Sequence, residues 1–111
     1  MYTVEEKELL YDGKSLGSAD DIYVDGRQDV AGYVKKSNKK GFTVAKLTEG
    51  DYVFVTAGGL VVGIEEKKAH DLCNSLRSRR LQRQLRRLEG AVSIPILGLR
   101  FTDKGRSKAQ F

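Results

Sequence analysis

The 111-residue sequence contains one proline, one cysteine, one methionine and no tryptophan. A lone cysteine, Cys73, makes neither an internal disulfide nor a cysteine cluster for zinc, so nothing demands an oxidising compartment. An intracellular setting is expected: cytoplasm or nucleoid, or the nucleus if the host is eukaryotic. Long apolar runs are missing as well. The uncharged stretches Tyr52 to Ile64 and Gly90 to Leu99 fall well short of the roughly 20 apolar residues that a membrane-spanning helix needs. The N-terminus is acidic rather than signal-like, so no membrane association is expected. There is no internal repeat.

What remains is an ordinary globular composition, 40% hydrophobic and 32% charged. A chain this size buries roughly two thirds of its unfolded surface, enough for a core without disulfides or structural metal. One domain spanning 1–111 is expected, with a core at about 22–99; residues 1–21 and 101–111 read as peripheral or partly flexible. The net charge of +5 is uneven. Residues 1–33 carry three basic and eight acidic side chains, whereas 34–111 carry seventeen and seven. Six arginines lie between Arg77 and Arg87. Arg77, Arg79, Arg80, Arg83 and Arg87 are candidate phosphate contacts, or else a solvated helix face or a surface for a partner helix.

Asp12 to Asp21 and Asp103 to Phe111, polar and glycine-containing, read as loops or tails. Ile22 to Asp25 predicts a short strand ending in an acid. Gln28 to Lys40 predicts a helix with Val30, Tyr33 and Val34 on one face and Gly41 as its stop. Strands follow at Phe42 to Leu47, Tyr52 to Thr56 and Leu60 to Lys67, the last two forming a hairpin around Ala57-Gly58-Gly59. From Lys68 to Leu88 the pattern is helical, but the stripe Ala69, Leu72, Cys73, Leu76 slips phase to Leu81, Leu85, Leu88, which predicts a break near Ser78-Arg79. Cys73 is expected in the core and His70 in solvent. Ala91 to Leu99 predicts an edge or irregular strand, because of Pro95. The fold class is α/β, a mixed central sheet flanked by helices.

If Thr56 pairs with Leu60, paired numbers in the hairpin sum to 116, so Asp51 faces Glu65 and Lys67 shares their side. Two converging carboxylates suit a hard divalent cation, magnesium or manganese, which would relieve their repulsion. A one-residue slip of register would send Glu65 to the other face. The simpler alternative keeps all three as charges on the wet face of an exposed hairpin. Against it, Tyr52 to Thr56 and Leu60 to Ile64 are apolar on both parities, so the hairpin is expected to be buried on both faces and its charged end to mark a cleft.

Gly50-Asp51, then Ile64-Glu65-Glu66-Lys67-Lys68-Ala69-His70-Asp71, then Ser75 to Gln84 with Arg80-Leu81, resembles the nuclease domain of the XPF family of structure-specific endonucleases. Val24-Asp25-Gly26-Arg27-Gln28 resembles that family's Val-Asp-x-Arg-Glu. The resemblance implies a PD-(D/E)xK, restriction-endonuclease-like fold. It implies metal-dependent hydrolysis of phosphodiester bonds in branched, flapped or junction DNA during repair, recombination or replication. By the same resemblance Asp51 and Glu65 are metal ligands, Asp25 completes the acidic cluster, and Lys67 orients or helps deprotonate the attacking water. Asp71 matches the last acid of the signature. Arg27, Arg80 and Gln84 would support the site or the DNA backbone. The family also implies a homodimer or heterodimer, in keeping with an apolar strand at Ala91 to Leu99 that little chain is left to cover.

Three positions depart from the pattern. Glu66 stands where arginine is usual, Gln28 where glutamate is usual, and Arg79 where glycine is common. The first two motivate a noncatalytic DNA-binding or scaffold subunit as the alternative function. A small basic RNA-binding protein would fit the charge but leaves the acidic motif unexplained.

Overall fold

A computed structural model of the protein describes residues 1–101; the expected tail at Asp103 to Phe111 lies outside the described residues. Three short strands come first: β1 (Tyr2–Glu5), β2 (Glu8–Tyr11) and β3 (Lys14–Ser18). Then follow β4 (Ile22–Asp25), α1 (Asp29–Ser37), β5 (Phe42–Ala45), β6 (Tyr52–Val55) and β7 (Val61–Lys68). A 3₁₀ turn at Ala69–Asp71 leads into α2 (Leu72–Arg77), α3 (Arg80–Ala91) and β8 (Ile94–Arg100).

The five later strands form one sheet in the order β5-β4-β6-β7-β8. β4 and β5 are parallel and joined through α1; β6 is antiparallel to both β4 and β7; β7 and β8 are parallel. This is the expected mixed sheet with helices on it. The hairpin has the expected register, with Tyr52 opposite Ile64 and Val55 opposite Val61. Its turn is closed by the Thr56 N–H on the Leu60 carbonyl at 2.9 Å.

Successive residues of β4 point to opposite faces, and two cores result. Val24 packs with Ala31 and Val34 of α1 on one face. Tyr23 packs on the other with Val53, Leu88, Ala91, and Tyr2 and Leu9 from the N-terminal strands. On that side α3 lies close to β7, because a Cβ on Gly63 would sit 2.8 Å from both Leu88 Cδ1 and Val92 Cγ1.

The N-terminal region departs from expectation. Asp12 to Asp21 is not a loop: β1, β2 and β3 form an antiparallel meander. Asp12 and Gly13 both take positive φ at the β2–β3 turn, the geometry that Asp-Gly favours in tight hairpins. Leu9 is fully buried, so the small sheet is part of the core rather than an appendage.

Helix details differ too. α1 ends at Asn38, which takes the left-handed conformation at φ 49°, before Gly41 is reached. Its buried side carries Ala31 and Val34, whereas Val30 and Tyr33 are exposed. Cys73 and Leu76 are exposed and Ser75 is buried, because the 3₁₀ turn resets the helical phase before α2 begins. The break between α2 and α3 falls where expected, with Arg79 left-handed at φ 60°. Ala91 belongs to α3, and β8 starts at Ile94 at the sheet edge, where Pro95 is tolerated.

Candidate active site

Asp51 and Glu65 meet where the β6–β7 ladder ends. In the register of the hairpin, the Glu66 N–H would next find the Gly50 carbonyl. Gly50 instead turns with φ +86°. Its left-handed backbone suits glycine, and a Cβ there would press on Leu88 Cδ1 at 3.3 Å. The Asp51 carboxylate replaces the missing acceptor, taking the Glu66 N–H on Oδ2 at 2.7 Å. The Asp51 main chain is held from both neighbouring strands: its N–H donates to the Ile64 carbonyl at 2.7 Å, and its carbonyl accepts the Asp25 N–H at 2.9 Å.

A hollow of about 270 Å³ opens here, lined among others by Asp51, Glu65, Glu49, Arg27 and Gln84. Burial first, and then the adjacent Asp51 carboxylate, push the Glu65 carboxyl up to about 7; nearby Lys67 pulls the other way. Magnesium keeps most of its waters and takes one or two carboxylates plus substrate phosphate. Two carboxylates that repel one another in a partly desolvated hollow fit that requirement.

Asp25 has other partners. Its side chain is 1% exposed. Oδ2 accepts the Arg27 Nε–H at 2.6 Å and the Arg27 N–H at 3.2 Å, and Oδ1 accepts the Leu47 N–H at 2.9 Å. Burial raises its affinity for a proton, but these bonds outweigh it and hold the carboxyl below its ordinary range. Among the described residues no group of three or more histidine, cysteine, aspartate or glutamate side chains is arranged to hold a metal. Asp25 is beside Asp51 through the backbone, while its carboxylate fastens the loop after β5.

Lys67 and Asp71 line an adjoining hollow together with Arg27, Gln28 and Glu66. Arg27 and Gln28 border both hollows. The Glu66 carboxylate points away from Asp51 to Arg100 Nε at 3.7 Å, and Arg100 in turn bonds Asp29 at 3.0 Å. Glu49 escaped the sequence analysis. Only 18% exposed, it pairs with Arg87 at 3.4 Å, two residues before Asp51; its position before the Gly-Asp pair was the available signal. The Gln84 Oε1 atom is buried in the wall without a partner among the described residues.

The sequence matches the ERCC4 domain family over residues 24–109. The chain belongs to this family. No curated protein matches it. ERCC4 domains form a nuclease family acting on branched DNA, with a restriction-endonuclease-like fold, and the observed sheet and helices agree with that fold. The match begins at β4 and leaves the N-terminal meander outside it.

The five candidate phosphate-contacting arginines are all exposed, but two of them have partners. Arg80 donates to the buried Ser75 hydroxyl at 3.0 Å, tying α3 to α2, and Arg87 is engaged with Glu49. Arg77, Arg79 and Arg83 are exposed. Among the described residues no helix is long and apolar enough to cross a membrane.

Proposed function

We propose that this ERCC4 domain, with residues 22–99 as its nuclease core, is a magnesium- or manganese-dependent endonuclease that cuts branched, flapped or junction DNA inside the cell. The observation that carries the proposal is the convergence of Asp51 and Glu65 in one hollow, with Lys67 near enough to pull on the Glu65 carboxyl. Asp51 and Glu65 would hold the ion, which supplies positive charge against the phosphate and acidifies a water.

The chain's own groups do the rest. Lys67 orients the attacking water and offers its ammonium to the phosphate oxygens, where negative charge grows as the new P–O bond forms and the leaving oxygen departs. Asp25 acts as a third acid through Arg27: with both carboxylate oxygens engaged, it fixes the guanidinium and the loop that leads to Asp51. It joins the ligands directly only if Arg27 releases Oδ2. Gln84 and Asp71 support the two hollows, and Arg77, Arg79 and Arg83 take DNA phosphates, with Arg80 and Arg87 acting after exchange of their present partners.

Among the described residues β8 is an edge strand, with Ile94, Ile96, Leu97 and Leu99 exposed, which supports pairing with a second subunit, identical or not. The occupied state of Asp25 favours one other reading, a noncatalytic DNA-binding subunit of the same fold. Incubation with fork, flap and junction DNA in magnesium or manganese separates the two. The nuclease cuts, and Asp51→Ala and Lys67→Ala abolish cutting. Salt-sensitive binding without metal-dependent cleavage supports the noncatalytic subunit instead, as would cutting that ignores both substitutions, since that activity belongs to a contaminant.

A further inference from the structure

Beside the acidic hollow lies a larger groove of about 800 Å³, walled by α1 at Lys35 and floored by Ala45 to Thr48. It shares Arg27 and Thr48 with the Asp51–Glu65 hollow. On its other side it shares Lys46, Leu47 and Thr48 with a third hollow of about 160 Å³, which the N-terminal meander closes with Tyr2, Tyr11, Lys14 and Leu16. The three concavities therefore share walls in sequence, from the meander to the paired carboxylates.

Their charges differ in sign. Lys14, Lys35 and Lys46 are exposed, and the one acid lining the larger groove, Asp25, is buried and held by Arg27. At the far end the Tyr11 ring is set edge-on against Tyr2, with centroids 4.7 Å apart. The meander is fixed to the catalytic side by the Tyr2 hydroxyl, which donates to the Glu49 carbonyl at 2.6 Å. A row of lysines with a braced aromatic ring at its end suits a sugar-phosphate backbone whose bases are free to stack. A paired duplex keeps its base faces inside and has no use for the ring.

We propose that the groove between α1 and the N-terminal meander binds an unpaired DNA strand and leads its backbone toward Asp51 and Glu65. This rests on the nuclease reading above, and it gives the meander, which lies outside the family match, a part in choosing substrates with a single-stranded arm.

Binding is measured by fluorescence anisotropy in chelator, so that nothing is cut, on a duplex with a single-stranded tail and on the same duplex with blunt ends. At about 0.7 counterions per single-strand phosphate contact, Lys14→Ala/Lys46→Ala should flatten the log affinity–log salt slope for tailed DNA by about 1.4. That corresponds to a loss of about 25-fold at 0.1 M salt, with blunt duplex unchanged. Lys35→Ala, on the opposite wall, should lose about fivefold on the tail alone. Tyr11→Leu, which keeps an apolar fill, should lose at least about fivefold on the tail with the salt slope unaltered, as for a lost stacking contact. Equal losses on blunt and tailed DNA overturn the proposal, as do variants that bind tailed DNA like the parent. If the parent binds neither DNA, the nuclease reading falls and the groove falls with it. If the parent binds both and only the variants show no change, the groove assignment alone falls.

Discussion

The Asp51 carboxylate stands in for a backbone carbonyl: it accepts the Glu66 N–H at 2.7 Å, where Gly50 has turned out of the ladder. One side chain thus closes the hairpin and lines the hollow. The two roles separate by substitution. Asp51→Asn retains an oxygen acceptor and should stay close to parental stability while losing cleavage. Asp51→Ala should lose cleavage and also about 1–3 kcal/mol, the usual cost of leaving a partly buried donor unpaired. Urea unfolding alongside a cleavage assay reads both.

Glu65 gives a pH dependence with a fixed sign. Its carboxyl ordinarily titrates near 4.5 and is raised to about 7 in the fold. Between those values the folded state holds more protons than the unfolded one, so this group's contribution to stability falls as pH rises through the window. Glu65→Gln should therefore gain on the parent from pH 4.5 to 7 and keep its advantage at pH 8, with none at pH 4. Magnesium at pH 8 should narrow the gap by stabilising the parent alone. Asp25, lowered rather than raised, loses its contribution only at more acid pH and is common to both proteins. Urea midpoints from pH 4 to 8, with and without magnesium, provide the measurement.

At Gly63 the close approach of α3 to β7 leaves no room for a methyl group. A Cβ there meets Leu88 and Val92 at 2.8 Å. Gly63→Ala should cost about 1–3 kcal/mol, as overpacking does. Gly90→Ala, where nothing lies within 4 Å of the added carbon, should be neutral or slightly stabilising as a helix substitution. The difference between the two urea midpoints tests the packing.

Arg79 adopts φ 60° at the start of α3, a left-handed backbone that suits glycine better than arginine. Arg79→Gly removes the left-handed penalty and should raise stability by up to about 1 kcal/mol. It also removes one exposed positive charge. If Arg79 touches phosphate, the salt dependence of duplex binding should weaken by about one charge in the same variant.

The hairpin was legible in the sequence because two β-branched and aromatic runs flank a three-residue glycine loop, and the turn closed by Thr56 and Leu60 sets the register. The break at Ser78-Arg79 was legible as a phase slip of leucines. Other elements depended on facts outside any local pattern. α1 has apolar residues on two adjacent stripes, and only the position of the sheet decides that Ala31 and Val34 are buried instead of Val30 and Tyr33. The stripe containing Cys73 follows helical spacing, but the 3₁₀ turn at Ala69–Asp71 rotates it outward. The meander was missed because Thr3, Glu5, Glu8, Lys14, Ser15 and Ser18 make its strands polar enough to read as loop, although Asp12-Gly13 carried the turn signal. At the site, the acid types and spacing were visible. That Asp25 spends both oxygens on Arg27 and Leu47 was not, because it depends on how the loop after β5 returns to β4.

The hydrogen bond from Tyr2 to the Glu49 carbonyl and the burial of Leu9 have a practical consequence for where the molecule divides. A fragment trimmed to residues 24–109, the extent of the family match, would strip Tyr23 from β4 and uncover the face of Val53 and Leu47. It would also leave the Glu49 carbonyl without the Tyr2 hydroxyl. The stretch matched by homology should therefore unfold at lower urea than the full chain, because the meander completes its core.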